Sequence, residues 1–213
     1  MARTWATALL LLLPAGVVSA QESDQLFAAG SEKAAAEALS RFGQLVTREN
    51  FLQMGFESLD EIRSGTLGEP MRQFSVWLGD LRKFEPGMDP AQLLRGNDTL
   101  VFPVLVNAQA RASIVLQRIR DGWEAVSFGA PGFTRAASEV RAKALKDGVG
   151  STFVVRVPAL NLYFLGGRSK SDLLLIPLSD DLQLELRKGL AVPASRVFLS
   201  LVPLAKEHNG LPT

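Results

Sequence analysis

Between residues 100 and 128 apolar and polar side chains alternate in three successive runs, 100–106, 113–119 and 123–128, and Asp121-Gly122 joins the last two. A period of two sends neighbouring side chains to opposite faces of a strand, and Asp-Gly supplies the backbone freedom that a tight hairpin needs. The pattern predicts three antiparallel strands in a meander and commits the centre of the chain to a sheet. Pro103, with no N–H to give a ladder, is expected where no donor is needed, at an edge.

Upstream the period is helical. From Ser31 onward, Ala35, Ala38, Leu39, Phe42, Leu45 and Val46 recur at steps of three and four, leaving Lys33, Glu37 and Arg41 outside, and the helix is expected to stop before Gly55. Ser58 and Glu61 form an S-x-x-E capping box before Leu59 and Ile62, predicting a short helix that ends near Gly65. Residues 73–78 alternate as a strand, and Asp89-Pro90 can start a helical turn through Leu93 and Leu94. Phe133, Ala137, Val140 and Ala144 line one face of a further helix, with Arg135, Arg141, Lys143 and Lys146 mostly on its solvated side.

Residues 153–157 and 173–178 read as strands, 161–165 as a third, and Gly166-Gly167-Arg168-Ser169-Lys170 as a hairpin loop. Residues 179–202 read two ways. Leu182, Leu184 and Leu186 alternate like a strand, whereas Ser179-Asp180-Asp181 suits a helix start and Gly189 a stop, and Pro203 argues against a long helix after residue 197. The fold class implied is α+β: N-terminal helices followed by a mainly antiparallel β-sheet with an inserted helix, packed as a two-layer sandwich. The blocks 100–128 and 153–178 do not align beyond strand character, so no sequence repeat is read.

Residues 1–20 have the three parts of an export signal. Arg3 is a short positive start, Ala6 through Leu13 an apolar core well short of the roughly 20 residues of a spanning helix, and Val18-Ser19-Ala20 a small-residue site before Gln21. Cleavage after Ala20 leaves residues 21–213, expected as a single α+β domain with a helical part over 21–66 and a sheet-containing part over 70–205. Removing Arg3 brings the 23 Lys and Arg level with the 22 Asp and Glu, so the mature chain is formally neutral. Neutrality gives no electrostatic reason for a nucleic-acid partner, and no integral membrane segment is expected after signal removal. Without cysteine, an exported chain of this size depends on its apolar core, which suits a periplasmic or secreted location.

The same composition narrows the chemistry. No cysteine means no thiolate nucleophile or thiolate metal site, and one histidine, His208 in a polar C-terminal tail, cannot build a multi-histidine zinc site. The close acidic pairs Asp60-Glu61, Asp121/Glu124 and Asp180-Asp181 each have a local explanation, as helix first turn, hairpin turn and helix start. The sequon Asn97-Asp98-Thr99 reads as a turn entering a strand. Trp77 and Trp123 fall off the faces carrying their aliphatic neighbours, where a ligand surface or, preferably, a covering helical layer would use them.

No catalytic, cofactor-binding or metal-ligating residue is nominated, and no cofactor is called for. The expectation is a non-enzymatic exported binding or protein-interaction module of the cell envelope, with an envelope protein as partner. The alternative is a carboxylate-dependent envelope hydrolase. Mass spectrometry of the protein recovered from an exporting host is expected to find Gln21 at the N-terminus; an intact Met1 would overturn the reading of residues 1–20.

Overall fold

Helix α1 (Ser31–Leu45) follows the expected stripe and buries Ala35, Ala38 and Phe42 against the sheet. The computed structural model describes residues 27, 28, 30–169 and 172–209, so the export segment lies outside the described residues. A short helix α2 (Leu59–Arg63) comes next, but its cap differs from the expected box. The Ser58 side chain makes no capping hydrogen bond, and the Glu61 carboxylate instead accepts from the Glu57 amide at 2.6 Å. Glu61 reaches one residue further back because Arg111, 3.1 Å away, also holds its other oxygen.

Nine strands form one sheet: β1 (Thr66–Leu67), β2 (Met71–Ser75), β3 (Arg95–Val106), β4 (Gln109–Ile119), β5 (Gly122–Gly129), β6 (Phe153–Val157), β7 (Leu162–Ser169), β8 (Asp172–Pro177) and β9 (Val192–Pro193). Their order is β5-β4-β3-β2-β6-β7-β8-β9, with β1 also on β3. Every pair is antiparallel except β2 and β6, which run parallel side by side at the centre. The meander β3-β4-β5 is the one expected, turning at Arg120-Asp121. The sheet is therefore mainly antiparallel and the fold α+β.

Register assigns the faces. Leu100, Phe102 and Val104 of β3 join the cluster of α1, whereas Val101 between them joins Ala137, Val140 and Ala144 of helix α4 (Pro131–Lys146). Alternate strand residues point to opposite faces, so α1 and α4 lie on opposite sides of the sheet. Helix α5 (Ala194–Glu207) is on the α1 side: Arg72 pairs with Leu100, and Phe74, two residues on, pairs with Val155, which packs with Phe198 and Leu201. Helices cover both faces, and the expected two-layer sandwich gives way to three layers. The inserted helix crosses behind the sheet because β5 ends at one edge while β6 must start at the centre.

Other expectations change for local reasons. The strand expected over 73–78 is β2, begun earlier at Met71 and ended at Ser75, and residues 78–81 instead form a helical turn α3 (Leu78–Leu81) that places Leu81 in the α5 cluster. Pro103 is not at an edge: β3 pairs on both sides, but Pro103 falls between β1 and β2, where only its carbonyl is used, by the Gly68 amide at 2.7 Å. Gly166 and Gly167 are not loop residues; they lie inside β7, where a Cβ would meet the Phe153 ring at 2.3 Å and Val149 at 2.4 Å. Residues 170–171, between β7 and β8, lie outside the described residues.

Residues 179–190 form a turn closed by the Asp181–Leu186 bridge, so neither the strand nor the helix read there forms. Pro203 sits inside α5 despite its cost, because burial of Val197, Phe198, Leu201 and Ala205 at about 1.5–3 kcal/mol per large side chain outweighs one missing hydrogen bond.

Gly55 ends no helix, since α1 stops at Leu45; it lets the chain press against the sheet. With φ +98°, a Cβ there would lie 2.1 Å from the Arg111 carbonyl oxygen and 2.6 Å from Pro131. Gly55→Ala is expected to cost about 3 kcal/mol or more, combining overpacking with a left-handed alanine. Gly79→Ala, with nothing within 4 Å of the added carbon, is expected to be neutral or to stabilise by up to about 1 kcal/mol. Urea unfolding of the two variants checks both.

Candidate functional site

The residues singled out from sequence are mostly consumed by the fold. Glu61 joins Glu57 in gripping Arg111, whose side chain is 12% exposed, and so pins α2 to β4. Asp60 pairs with Arg63 at the surface. Asp181 accepts from the amides of Gln183 and Leu184, and Asp180 from that of Lys188, which makes this pair the scaffold of the 179–190 turn rather than a helix start. Arg141 is not on a solvated face: its guanidinium bonds Glu69 and the Thr152 hydroxyl and ties α4 to the sheet. The start of the C-terminal tail is fastened too. Arg82 donates to the carbonyls of Ala205 and His208 at 2.7 and 2.6 Å and so caps the end of α5.

Trp123 does not point away from its aliphatic neighbours: it packs with Ala125 against the α1 cluster, with the Phe27 ring edge-on at 5.3 Å and the Arg118 guanidinium 6.0 Å from its centroid. Trp77 has no such cover and is 53% exposed.

On the α4 side of the sheet the apolar cluster of Met71, Val101, Val154 and Leu165 gives way, toward the C-terminal ends of β2 and β6, to a polar patch. Register builds it: Gln73 pairs with Thr99 and Val154, Ser75 with Arg156, and Arg156 with Tyr163. A bulge shapes its edge. Between Gln73 and Phe74 the register with β3 jumps from Thr99 to Gly96, so Asn97 and Asp98 are extra residues and Asp98 takes φ 48°. The Thr99 hydroxyl donates to the Asn97 carbonyl at 2.9 Å, and Asn97 Nδ2 to the Ser75 hydroxyl at 3.5 Å. The sequon is thus a bulge inside β3 rather than a turn before it.

Arg156 is the chemically distinctive member. It is half-buried, its guanidinium carbon lies 5.4 Å from the Tyr163 ring centroid, and its Nε is enclosed with no hydrogen-bond partner. No carboxylate of the described residues comes within salt-bridge distance of it. The neighbouring cation on this patch, Arg95, is matched by Asp80 at 2.9 Å. Half-burial of an unmatched guanidinium is unfavourable, since lost hydration is not replaced by an anion. The stack on Tyr163 fixes the head in place without neutralising it.

Alternation continued past the end of β2 carries Trp77 to the side of this patch. The Val76 amide donates to the Arg156 carbonyl at 2.8 Å while the Val76 side chain is buried in the α5 cluster. With Trp77 extended at ψ 143°, alternation puts it on the side of Ser75 and Arg156, about 7 Å along the strand from Ser75. Gln73 is half-buried there, with no side-chain hydrogen bond among the described residues. Sequence reasoning held Trp77 open but passed over Arg156, because nothing in the run 153–157 indicates which strand will lie beside it.

A separate shallow cavity of about 220 Å³ lies between the β7–β8 hairpin and the start of α5, lined by Asp89, Arg168, Asp172 and Ser195 among others. Asp89 already accepts from the Ala91 amide at 2.9 Å, capping the turn Pro90–Leu93. Among the described residues no group of three His, Cys, Asp or Glu could hold a metal ion, and no helix is long and apolar enough to cross a membrane.

No protein-family model matches the chain, and no curated protein or solved structure matches it either.

The Arg95 pair has a pH signature. Its hydrogen bond holds the Asp80 carboxyl below the ordinary aspartate value, so the folded state binds that proton more weakly than the unfolded chain does. The stabilisation is present above the unfolded value of about 4 and is lost as pH falls through the lower folded one. Asp80→Asn should therefore be less stable than wild type near neutrality, and the two should converge as pH falls through the lowered folded value, with the gap shrinking in high salt.

Proposed function

We propose that this chain is an exported, non-enzymatic binding module of the cell envelope that takes an anionic group of its ligand on Arg156. The observation that carries the reading is the half-buried guanidinium of Arg156, stacked on Tyr163 and matched by no carboxylate among the described residues. A carboxylate docked on its terminal nitrogens would supply the missing charge in bidentate geometry. The export-type segment at residues 1–20 supports an envelope location, and the poverty of catalytic side chains supports binding over turnover.

A ligand that binds only the folded state stabilises it by mass action, by about 1.4 kcal/mol when it is present at tenfold its Kd, and so raises the unfolding midpoint. Thermal unfolding of residues 21–213 with acetate, succinate, citrate or galacturonate, each against chloride at equal ionic strength, is expected to give a raised midpoint with at least one carboxylate. The shift should vanish in Arg156→Gln, whose own midpoint is expected to equal or exceed that of wild type, because an uncompensated charge has been removed. Equal shifts in both proteins, or none in either, would sink the proposal.

A further inference from the structure

We infer that the ligand's anionic group belongs to an acidic saccharide, whose carboxylate meets Arg156 and whose ring lies on Trp77. This rests on the reading of Arg156 as an anion subsite and adds the rest of the occupant.

Three observations at the patch point the same way. Trp77 leaves 53% of its surface to solvent at the margin of a polar patch, on the side of Arg156 as judged by strand alternation. An exposed indole offers a flat apolar face, which the C–H face of a pyranose matches and a small aliphatic acid does not. Gln73, half-buried and free of side-chain hydrogen bonds among the described residues, presents both a donor and an acceptor, the pairing that sugar hydroxyls require. Charge sets the third requirement. Arg95 is spent on Asp80, so among the described residues Arg156 is the cation of the patch without an acid partner; with Asp98 also at the bulge, the patch suits one carboxylate per ring rather than a phosphate dianion.

The spacing is compatible with one ring. Ser75 stands beside Arg156 in register and Trp77 follows two residues on, about 7 Å along the strand. A uronic acid whose carboxylate sits over Arg156 extends its ring by a similar distance. The bulge at Asn97-Asp98 helps by turning the β3 edge, and its Thr99 and Asn97 hydrogen bonds hold that edge in place.

The test is fluorescence titration of residues 21–213, in which Trp77 and Trp123 are the tryptophans and only Trp77 is exposed. The probes are trigalacturonate, its methyl ester and succinate. Trigalacturonate is expected to perturb the emission saturably and to bind at least tenfold more tightly than either the ester or succinate. Arg156→Gln and Trp77→Ala should each weaken trigalacturonate at least tenfold, and Trp77→Phe should keep most of the affinity while losing the signal, as followed by calorimetry. Succinate binding should depend on Arg156 and be indifferent to Trp77→Ala. If succinate binds through Arg156 as tightly as trigalacturonate, or Trp77→Ala leaves trigalacturonate affinity unchanged, the saccharide inference is overturned while the anion subsite stands. If the ester binds as well as the acid, or no probe binds, both readings fall. Urea midpoints of the variants establish that each is folded.

Discussion

The parallel pairing of β2 with β6 is the constraint on which the rest of this structure depends. Every other strand contact lies within the block β1–β5 or within the block β6–β9, so this ladder of three residue pairs is what makes one sheet of two. Short parallel ladders are weak alone, and this one is buttressed on both faces. Behind it, α4 packs Ala137, Val140 and Ala144 onto Met71, Val101, Val154 and Leu165, side chains contributed by both blocks. In front, Phe74 and Phe153 meet edge-to-face at 5.0 Å in the interval between the α1 and α5 clusters.

The same seam explains where charge is left over. Two guanidinium groups flank it on opposite faces, and they are treated differently. On the front, Arg72 is held between the rings of Phe27 and Phe74, with its guanidinium carbon 4.1 and 4.9 Å from their centroids. Behind, Arg156 lies over the Tyr163 ring and pairs with no carboxylate of the described residues. Since α4 is used up in covering the apolar part of the seam, its polar end is bordered by the corner at Trp77. Joining the blocks and leaving a charged patch at their junction thus follow from one arrangement.

The two blocks share a connectivity that their residues conceal. In each, a helix precedes a run of four strands that pair in chain order, β2 to β5 after α1 and β6 to β9 after α4. The runs extend from the central pair toward opposite edges, and α1 and α4 lie on opposite faces. Matching residues are not needed for this, because any alternating pattern of suitable length satisfies a strand position. The absence of a sequence repeat between 100–128 and 153–178 is therefore compatible with a repeat of path.

What was legible along the chain is what local periodicity controls. The stripe of α1, the meander 100–128 with its Asp-Gly turn, the helix after Pro131 and the strand 153–157 all depend on which neighbours are apolar, and burial on one face suffices to select them. Pro103, Gly55 and the Gly166-Gly167 pair were misplaced for the opposite reason: each is defined by what approaches from elsewhere in the chain, namely Gly68, Arg111 and the side chains of Phe153 and Val149. The patch around Arg156 belongs to this second kind. Its members come from β2, β3, β6 and β7, and only the parallel register brings Ser75 beside Arg156. Local pattern was enough for the strongly periodic elements and for the narrow stock of reactive side chains. It took the tertiary structure to put helices on both faces and to leave Arg156 half-buried with no acid among the described residues, because the partners of a central strand, unlike its own alternation, are set by pairing across some eighty residues.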